Sequence, residues 1–533
     1  MPSRRIDTTA PPRAAHLSRR TLGAVAGAAL AATTLPGGRP RARSTAAQSA
    51  TPTAAEGSAD LAAATDQFVR AALETYGVPG AAVAVVLDDQ VVLARGYGVR
   101  KLGESGPVDE HTIFELGSNT KVFTAAALGT VVDQGALGWD DVVIDHLPEF
   151  ALFDPYPTRY ATVRDLLAHR TGLPAFIGDI LGDLGIDRPE VLRRVRFIPP
   201  GSSFREVGAY SNIGFFVAGE VLARLTGATW EAAVQQRLLD PLGLTRTAPS
   251  AAVDQAGGNV AAAHAEVDGT LQPIPWYLQT VLAAAGGLTS TAADMAQWMR
   301  MFLAGGTLDG RQILRPETVQ AMFQPSMVVA PSFSEMPPIT DQSGFAYGLG
   351  CGVFHDRGVQ VVEKGGALSG IRSVMELVPA RKLGVAVLSN RDLLPLPEAI
   401  RAFVLAQVLG GNDANDQAEI RQRGASLEAL LQPTPPPANP GPPSLPLDGY
   451  VGPYDSPLYG QFVVVRDGDR LRIEAGSARF LGTLIHFGQD TYRLSWPPVD
   501  YGHQLLTFTV GPDGYATSFD TETLGRFERA ANA

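Results

Sequence analysis

Residues 114–135 read FELGSNTKVFTAAALGTVVDQG, an extended tetrad, then apolar residues at helical spacing, then a glycine. The pattern predicts a helix opened by Ser118 and stopped at Gly135. Ser118 and Lys121 would lie on one helical face, one turn apart. A hydroxyl is a poor nucleophile at neutral pH, and a neighbouring desolvated amine can take its proton. The helix N-terminus would favour a developing oxyanion. The pair also has a purely structural reading, Ser118 as an N-cap and Lys121 as a surface lysine. Lysine usage weakens that reading. The chain has four lysines, Lys101, Lys121, Lys364 and Lys382, and arginine, which cannot serve as a base, at every other basic position.

Around this stretch, valine-rich runs at 81–87 and 91–98 flank Asp88-Asp89-Gln90 and predict a β-hairpin. From about 162 to 303 the periodicity is mostly helical, as at 213–225 and 292–303. Strand patterns return between 347 and 390, and a last helix is expected at 396–409. Strands at both ends with helices between them imply one antiparallel sheet closed by distant segments, with a helical region inserted. Residues 432–447 are so proline-rich that they read as an extended linker. Beyond them, short strand patterns at 461–466, 470–474, 492–496, 505–510 and 515–519 predict a small all-β barrel or sandwich.

The 533 residues are 45% hydrophobic and 18% charged, enough for packed cores and too little charge for a disordered chain. A net charge of -11 argues against a nucleic-acid or anionic-membrane partner. The single cysteine, Cys351, excludes an internal disulfide, and the eight histidines form no HExxH pair, so no metal and no cofactor is expected.

Residues 1–50 read as a leader. Arg19-Arg20 precede an apolar run of small residues at 22–35, too short to span a bilayer, as in an export signal. The paired arginines resemble a twin-arginine signal, although Leu22 and Gly23 stand where Phe and Leu are usual. Export to the periplasm, cell envelope or medium is the expectation, with no membrane span in the mature chain. A basic tail is the alternative.

Two further motifs follow in order. Tyr210-Ser211-Asn212 sits in PPGSSFREVGAYSNIGF at a loop-to-helix junction, where a phenol can exchange protons and an amide can orient a substrate or a lysine. Lys364-Gly365-Gly366 ends the strand pattern VQVVEKGG, where small residues let a substrate backbone approach.

In this order the three resemble the serine active-site set S-x-x-K, Y/S-x-N and K-T-G of β-lactamases and penicillin-binding proteins. The segments VPGAAVAVV, TVRDLLAHRTGLP, PLGLTRT, AAGGLTSTAADMAQWM and YGLGCGV resemble the class C branch with its related esterases and D-aminopeptidases. The resemblance covers approximately residues 61–409. It implies an α/β plus all-α, β-lactamase/transpeptidase-like fold over 58–430, and the tail at 448–533 resembles the small, lipocalin-like β-barrel that some of these hydrolases append. It also implies a serine hydrolase acting through an acyl-enzyme on a small-molecule or peptide substrate. Ser118 would be the nucleophile, Lys121 its proton acceptor, and Tyr210 the proton carrier to the leaving group. Asn212 would bond the substrate or Lys121, and Lys364 would act on Tyr210 by proximity. Gly366 would allow the close approach, and the amides of Ser118 and Ala367 would form the oxyanion hole.

Gly365 departs from the pattern. It stands where these enzymes carry a threonine or serine whose hydroxyl helps bind a substrate carboxylate, and Ser369 is the nearby candidate to compensate. An esterase or D-aminopeptidase-like hydrolase is therefore expected ahead of a β-lactamase or D-alanyl-D-alanine carboxypeptidase. A non-hydrolytic penicillin-binding envelope protein is the competing class, and the tail could be a wall- or partner-binding module. His169 and Cys351 read as fold residues, the latter within a strand, and Asp145-His146 as a turn. Trp276 and Tyr277 read equally well as cleft wall or core.

Overall fold

The computed structural model describes residues 54–531 apart from 268, 331–341, 393, 432–433, 477–479 and 497–502. The expected leader lies outside them. The described residues form two compact units that part at Leu430.

The larger unit is built on an antiparallel eight-stranded sheet. Its strands are β1 (Gly80–Leu87), β2 (Gln90–Gly98), β3 (Met327–Val328), β4 (Gln342–Tyr347), β5 (Gly352–Asp356), β6 (Val359–Leu368), β7 (Ile371–Val378) and β8 (Leu383–Ser389), in spatial order β3-β4-β5-β6-β7-β8-β1-β2. Distant chain segments close it where β1 pairs with β8, Ala81 opposite Ser389 and Leu87 opposite Leu383. The first hairpin turns on Asp88 and Asp89, at φ 50° and 64°, so Gln90 already belongs to β2. Positive φ at both central residues matches the right-handed twist of the flanking strands.

The sheet is covered on both faces, so β1 is buried at seven consecutive positions instead of alternating. One face packs through Val83, Val85, Val374 and Val385 on helices α1 (Ala54–Tyr76) and α5 (Leu396–Leu409). The other face receives α4 (Ala292–Leu303) and the helical region. Within that region α2 (Thr120–Asp133) is buried from Thr120 to Val131, and α3 (Asn212–Thr226) packs against it. Being enclosed on every side, α2 carries no polar face. Its three threonines find partners instead, Thr124 Oγ1 donating to the Ala284 carbonyl at 2.7 Å, Thr130 Oγ1 to the Ala127 carbonyl at 2.7 Å, and Thr120 Oγ1 accepting from the Leu288 amide at 3.1 Å.

Three features differ from the sequence expectation. Helix α1, and a helix α6 (Asp413–Leu431) beyond the expected last helix, are present. Ser118 does not cap α2; it lies in a 3₁₀ turn, Gly117–Asn119, and the helix starts at Thr120 with no side-chain cap. Cys351 lies between β4 and β5, not within a strand, and is buried with Sγ 3.6 Å from the Met322 carbonyl oxygen. Burial pushes its thiol up to about 12, which leaves it an inert apolar filler.

The second unit is a closed eight-stranded antiparallel barrel, β9 (Gly452–Ser456), β10 (Gly460–Asp467), β11 (Arg470–Ala475), β12 (Phe480–Gly488), β13 (Thr491–Ser495), β14 (His503–Val510), β15 (Ala516–Thr521) and β16 (Gly525–Arg529). Closure pairs β9 with β16 and removes the edges that open sheets must protect. Along the strands, exposed residues alternate with buried ones, and Tyr454, Phe462, Phe508, Phe519 and Phe527 point inward. Their rings contact one another at centroid distances such as 4.5 Å for Phe462–Phe527 and 4.7 Å for Phe519–Phe527. These contacts gather the rings inside the barrel. The proline-rich stretch is tied to the barrel: the Gln489 amide donates to the Pro440 carbonyl at 2.8 Å, and Ser444 bonds Asp490.

Candidate active site

The turn that carries Ser118 is fixed before any side-chain chemistry. Phe114 and Glu115 form a short strand, the Leu116 amide donates to the Leu288 carbonyl at 2.8 Å, and Gly117 adopts φ +52°. A β-carbon at Gly117 would lie 2.9 Å from the Ala367 amide nitrogen, so only glycine lets β6 run this close. Ser373 on β7 clamps the turn, its Oγ donating to the Leu116 carbonyl and accepting from Asn119 Nδ2, each at 2.7 Å.

Lys121 Nζ lies 3.1 Å from Ser118 Oγ. It also donates to Asn212 Oδ1 at 2.6 Å and to the Ala285 carbonyl at 2.8 Å. The side chain is fully buried, which excludes the surface-lysine reading. Burial pushes its pKa down; the Tyr210 hydroxyl, which bonds it, and Asp179 oppose this, while the Lys364 cation pushes further down.

Tyr210 stands immediately before α3, with its ring centroid 4.8 Å from both Lys121 Nζ and Lys364 Nζ. His169 supports it: the His169 ring lies 4.5 Å from the Tyr210 ring, and His169 Nδ1 accepts from the Ser211 amide at 3.0 Å. Burial, followed by the two lysine cations, holds His169 well below its ordinary value. It is a buried, neutral ring packed on Tyr210.

Lys364, Gly365, Gly366 and Ala367 lie on β6. β5 stops at the pair Gly352–Glu363, so this length of β6 has β7 on one side and, among the described residues, no strand on the other. Ala367 is exposed there, while Gly366 is buried against Leu116, Ser118 and Ser373. Tyr210, Lys364 and Gly365 also line a pocket that continues to Glu363, Arg372, Glu398 and Arg401. Ser369 is 1% exposed in the β6–β7 turn.

The structure thus brings Ser118, Lys121, Tyr210, Asn212, Lys364, Gly366 and Ala367 into one site. It places Trp276 in the core, with Nε1 donating to the Ala261 carbonyl at 3.0 Å, while Tyr277 donates to Asp183 at 2.6 Å. His146 ends a one-turn helix and lies 3.3 Å from Asp141. Sequence reasoning missed Asp179, whose Oδ2 accepts from Asn212 Nδ2 at 2.8 Å within the buried site. Asp179 and Asp183 among the glycines of FIGDILGDLG both read as turn residues, so the sequence carries no signal that singles out Asp179. It also missed Asp165, buried under Arg170 and Arg205, which ties the segment before Tyr210 to the His169 segment. Among the described residues no group of His, Cys, Asp or Glu is arranged to hold a metal ion, and no helix is long and apolar enough to cross a membrane.

A serine whose hydroxyl meets a buried lysine, beside a tyrosine and an open strand edge, on an antiparallel sheet with a helical insertion, defines a serine hydrolase of the β-lactamase type. The β-lactamase family profile matches residues 65–410, and the chain belongs to that family. A second profile, a domain of unknown function (DUF3471), matches 436–530. Similar proteins include penicillin-binding protein 4 of Amycolatopsis lactamdurans, 31% identical over 59% of this chain and 81% of the relative. An unguisins hydrolase of Aspergillus violaceofuscus is 26% identical over 75% of this chain and 76% of the relative. The fold is shared with an octameric penicillin-binding protein homologue from Pyrococcus abyssi, with a TM-score of 0.58 at 23% identity over 87% of this chain and 99% of that one. It is also shared with a class C β-lactamase from Rhodobacter sphaeroides, with a TM-score of 0.54 at 22% identity over 66% and 100%.

Proposed function

We propose that the protein is an exported serine hydrolase that cleaves ester or amide bonds through an acyl-enzyme on Ser118. The observation that carries this reading is the 3.1 Å approach of Ser118 Oγ to the buried Nζ of Lys121. In its neutral form Lys121 takes the hydroxyl proton as Oγ attacks the substrate carbonyl. The amides of Ser118 and Ala367 receive the oxyanion at the open edge of β6. Tyr210, bonded to Lys121, relays the proton to the leaving group and then draws a proton from the water that releases the acyl group. Lys364 keeps positive charge beside Tyr210 and the incoming carbonyl. Export rests on Arg19-Arg20 and the apolar run after them.

For substrate, an esterase or D-aminopeptidase-like hydrolase is favoured over a dedicated β-lactamase or D-alanyl-D-alanine carboxypeptidase. Gly365 offers no hydroxyl to a substrate carboxylate. A charge-assisted hydrogen bond is worth about 1.5–3 kcal/mol, so its loss costs roughly 10- to 150-fold against carboxylate-bearing substrates and little against neutral esters. A relative that shares three-quarters of this chain is named as a hydrolase of unguisins, which accords with hydrolysis beyond β-lactams. The test is kcat/KM for a short-chain p-nitrophenyl ester, a D-amino acid amide, a D-Ala-D-Ala peptide and a penicillin. The ester or the amide is expected to lead by at least tenfold. Efficient penicillin hydrolysis would make this a β-lactamase, and an acylated Ser118 that never turns over would make it a non-hydrolytic penicillin-binding protein.

A further inference from the structure

Resting on the acyl-enzyme reading, we propose that Asp179 is a positioning residue: it locks the Asn212 amide so that Oδ1, and not the NH2 group, faces Lys121. Four groups run in a chain from the buried Asp179 to the half-buried Ser118, Asp179 Oδ2 to Asn212 Nδ2 at 2.8 Å, Asn212 Oδ1 to Lys121 Nζ at 2.6 Å, and Lys121 Nζ to Ser118 Oγ at 3.1 Å. An ammonium is a donor only and would by itself select the amide oxygen. The catalytic form of Lys121 is the neutral amine, which also has a lone pair. A turned amide could then donate its NH2 to that lone pair, which must be free to accept the Ser118 proton. A carboxylate accepts only, so Asp179 keeps the NH2 on its own side in both protonation states of Lys121.

The surroundings suit this role. Asp179 is 5% exposed, in a turn held to the tyrosine segment by the Phe176 amide, which donates to the Tyr210 carbonyl at 2.9 Å. The other groups set around Lys121 are Tyr210 and Asn212 at the start of α3, Ser118 on its own turn, Lys364 on β6, the Ala285 carbonyl, and His169, which is neutral. Among these groups of the described residues Asp179 is the carboxylate, and its charge also offsets the repulsion between the two lysines.

The test is a double-substitution cycle with a p-nitrophenyl ester. Asp179→Ala is expected to lower kcat about 10- to 100-fold with little change in KM, the size of a small misplacement of a catalytic group. In an Asn212→Ala background the same change should cost less than about threefold, because there is no amide left to orient. Asp179→Asn keeps the volume, so it guards against a folding failure. It should lower kcat and move the acid limb of kcat/KM to lower pH by about one unit, since the charge that favours ammonium is gone. Equal losses with and without Asn212, or an unmoved limb in Asp179→Asn, would overturn the proposal. A wild-type protein that is not acylated at Ser118 would instead overturn the acyl-enzyme reading itself.

Discussion

Gly366 and Ser118 are packed so closely that a β-carbon on Gly366 would lie 3.0 Å from the Ser118 amide nitrogen. The same carbon would reach 2.5 Å from Ser373 Oγ and overlap the Leu116 carbonyl oxygen. The missing side chain of β6 is thus what lets the Ser118 turn seat against the strand. Gly366→Ala is expected to lower kcat/KM at least 100-fold while the fold survives, because the turn must back away from β6. Ser373→Ala, which removes the clamp without a clash, should cost about tenfold. Wild-type turnover in Gly366→Ala would show that the turn is not held by this contact.

Lys121 is expected to govern the acid side of the pH profile. Burial lowers its pKa, and the base works only when neutral, so kcat/KM should rise with pH through a limb below the ordinary lysine value of about 10.4. Lys121→Arg keeps the charge but accepts no proton, so the activity that produces this limb should fall by at least a thousandfold. Activity within tenfold of wild type in that variant would remove Lys121 from the role of base.

Behind the catalytic face, Arg401 on α5 meets Glu376 and, at 2.7 Å, Glu363. One guanidinium serves two carboxylates, and the fully buried Glu376 is pushed up to about 8 by burial, against 4.5 ordinarily, despite Arg401. Between those values the folded chain holds a proton that the unfolded chain has released. Stability should therefore fall as pH rises from about 5 towards 8, by up to about 1.4 kcal/mol per unit. Glu376→Gln should flatten that slope in urea titrations across the window. Parallel wild-type and variant curves would contradict it.

The barrel and the catalytic motifs lie in separate compact units. A chain ending at Leu431 should fold and keep Ser118 reactive towards a fluorophosphonate probe. An unfolded or unreactive product would mean that the barrel completes the catalytic unit.

The sheet, the helix that carries Lys121 and the three motifs were legible because each leaves a strong local trace: valine runs for strands enclosed on both faces, Gly366 for a close approach, and lysine in a chain that otherwise uses arginine. Helix α6 was not legible because its sequence is polar on every side; it is anchored by Ile420 against Ala399 and Ala402 and by the Arg357–Asp416 ion pair. Strands β9 and β16 are five residues long with few apolar positions and are held by barrel closure, a non-local event, while Gly482 interrupts the apolar pattern of β12. Asp179 and Asp165 act through partners 33 and 40 residues away. Such pairings exist only once the chain has folded.

The central claim is that Ser118 becomes acylated and is then released. Intact-protein mass spectrometry after rapid mixing with a short-chain p-nitrophenyl ester tests it directly, with peptide mapping to locate the adduct. The wild-type protein should show one acyl adduct, on the peptide carrying Ser118, that forms within the first turnover and disappears as ester is exhausted, while Ser118→Ala should show none. Turnover without an adduct at Ser118, or hydrolysis undiminished in a folded Ser118→Ala variant, would contradict the account.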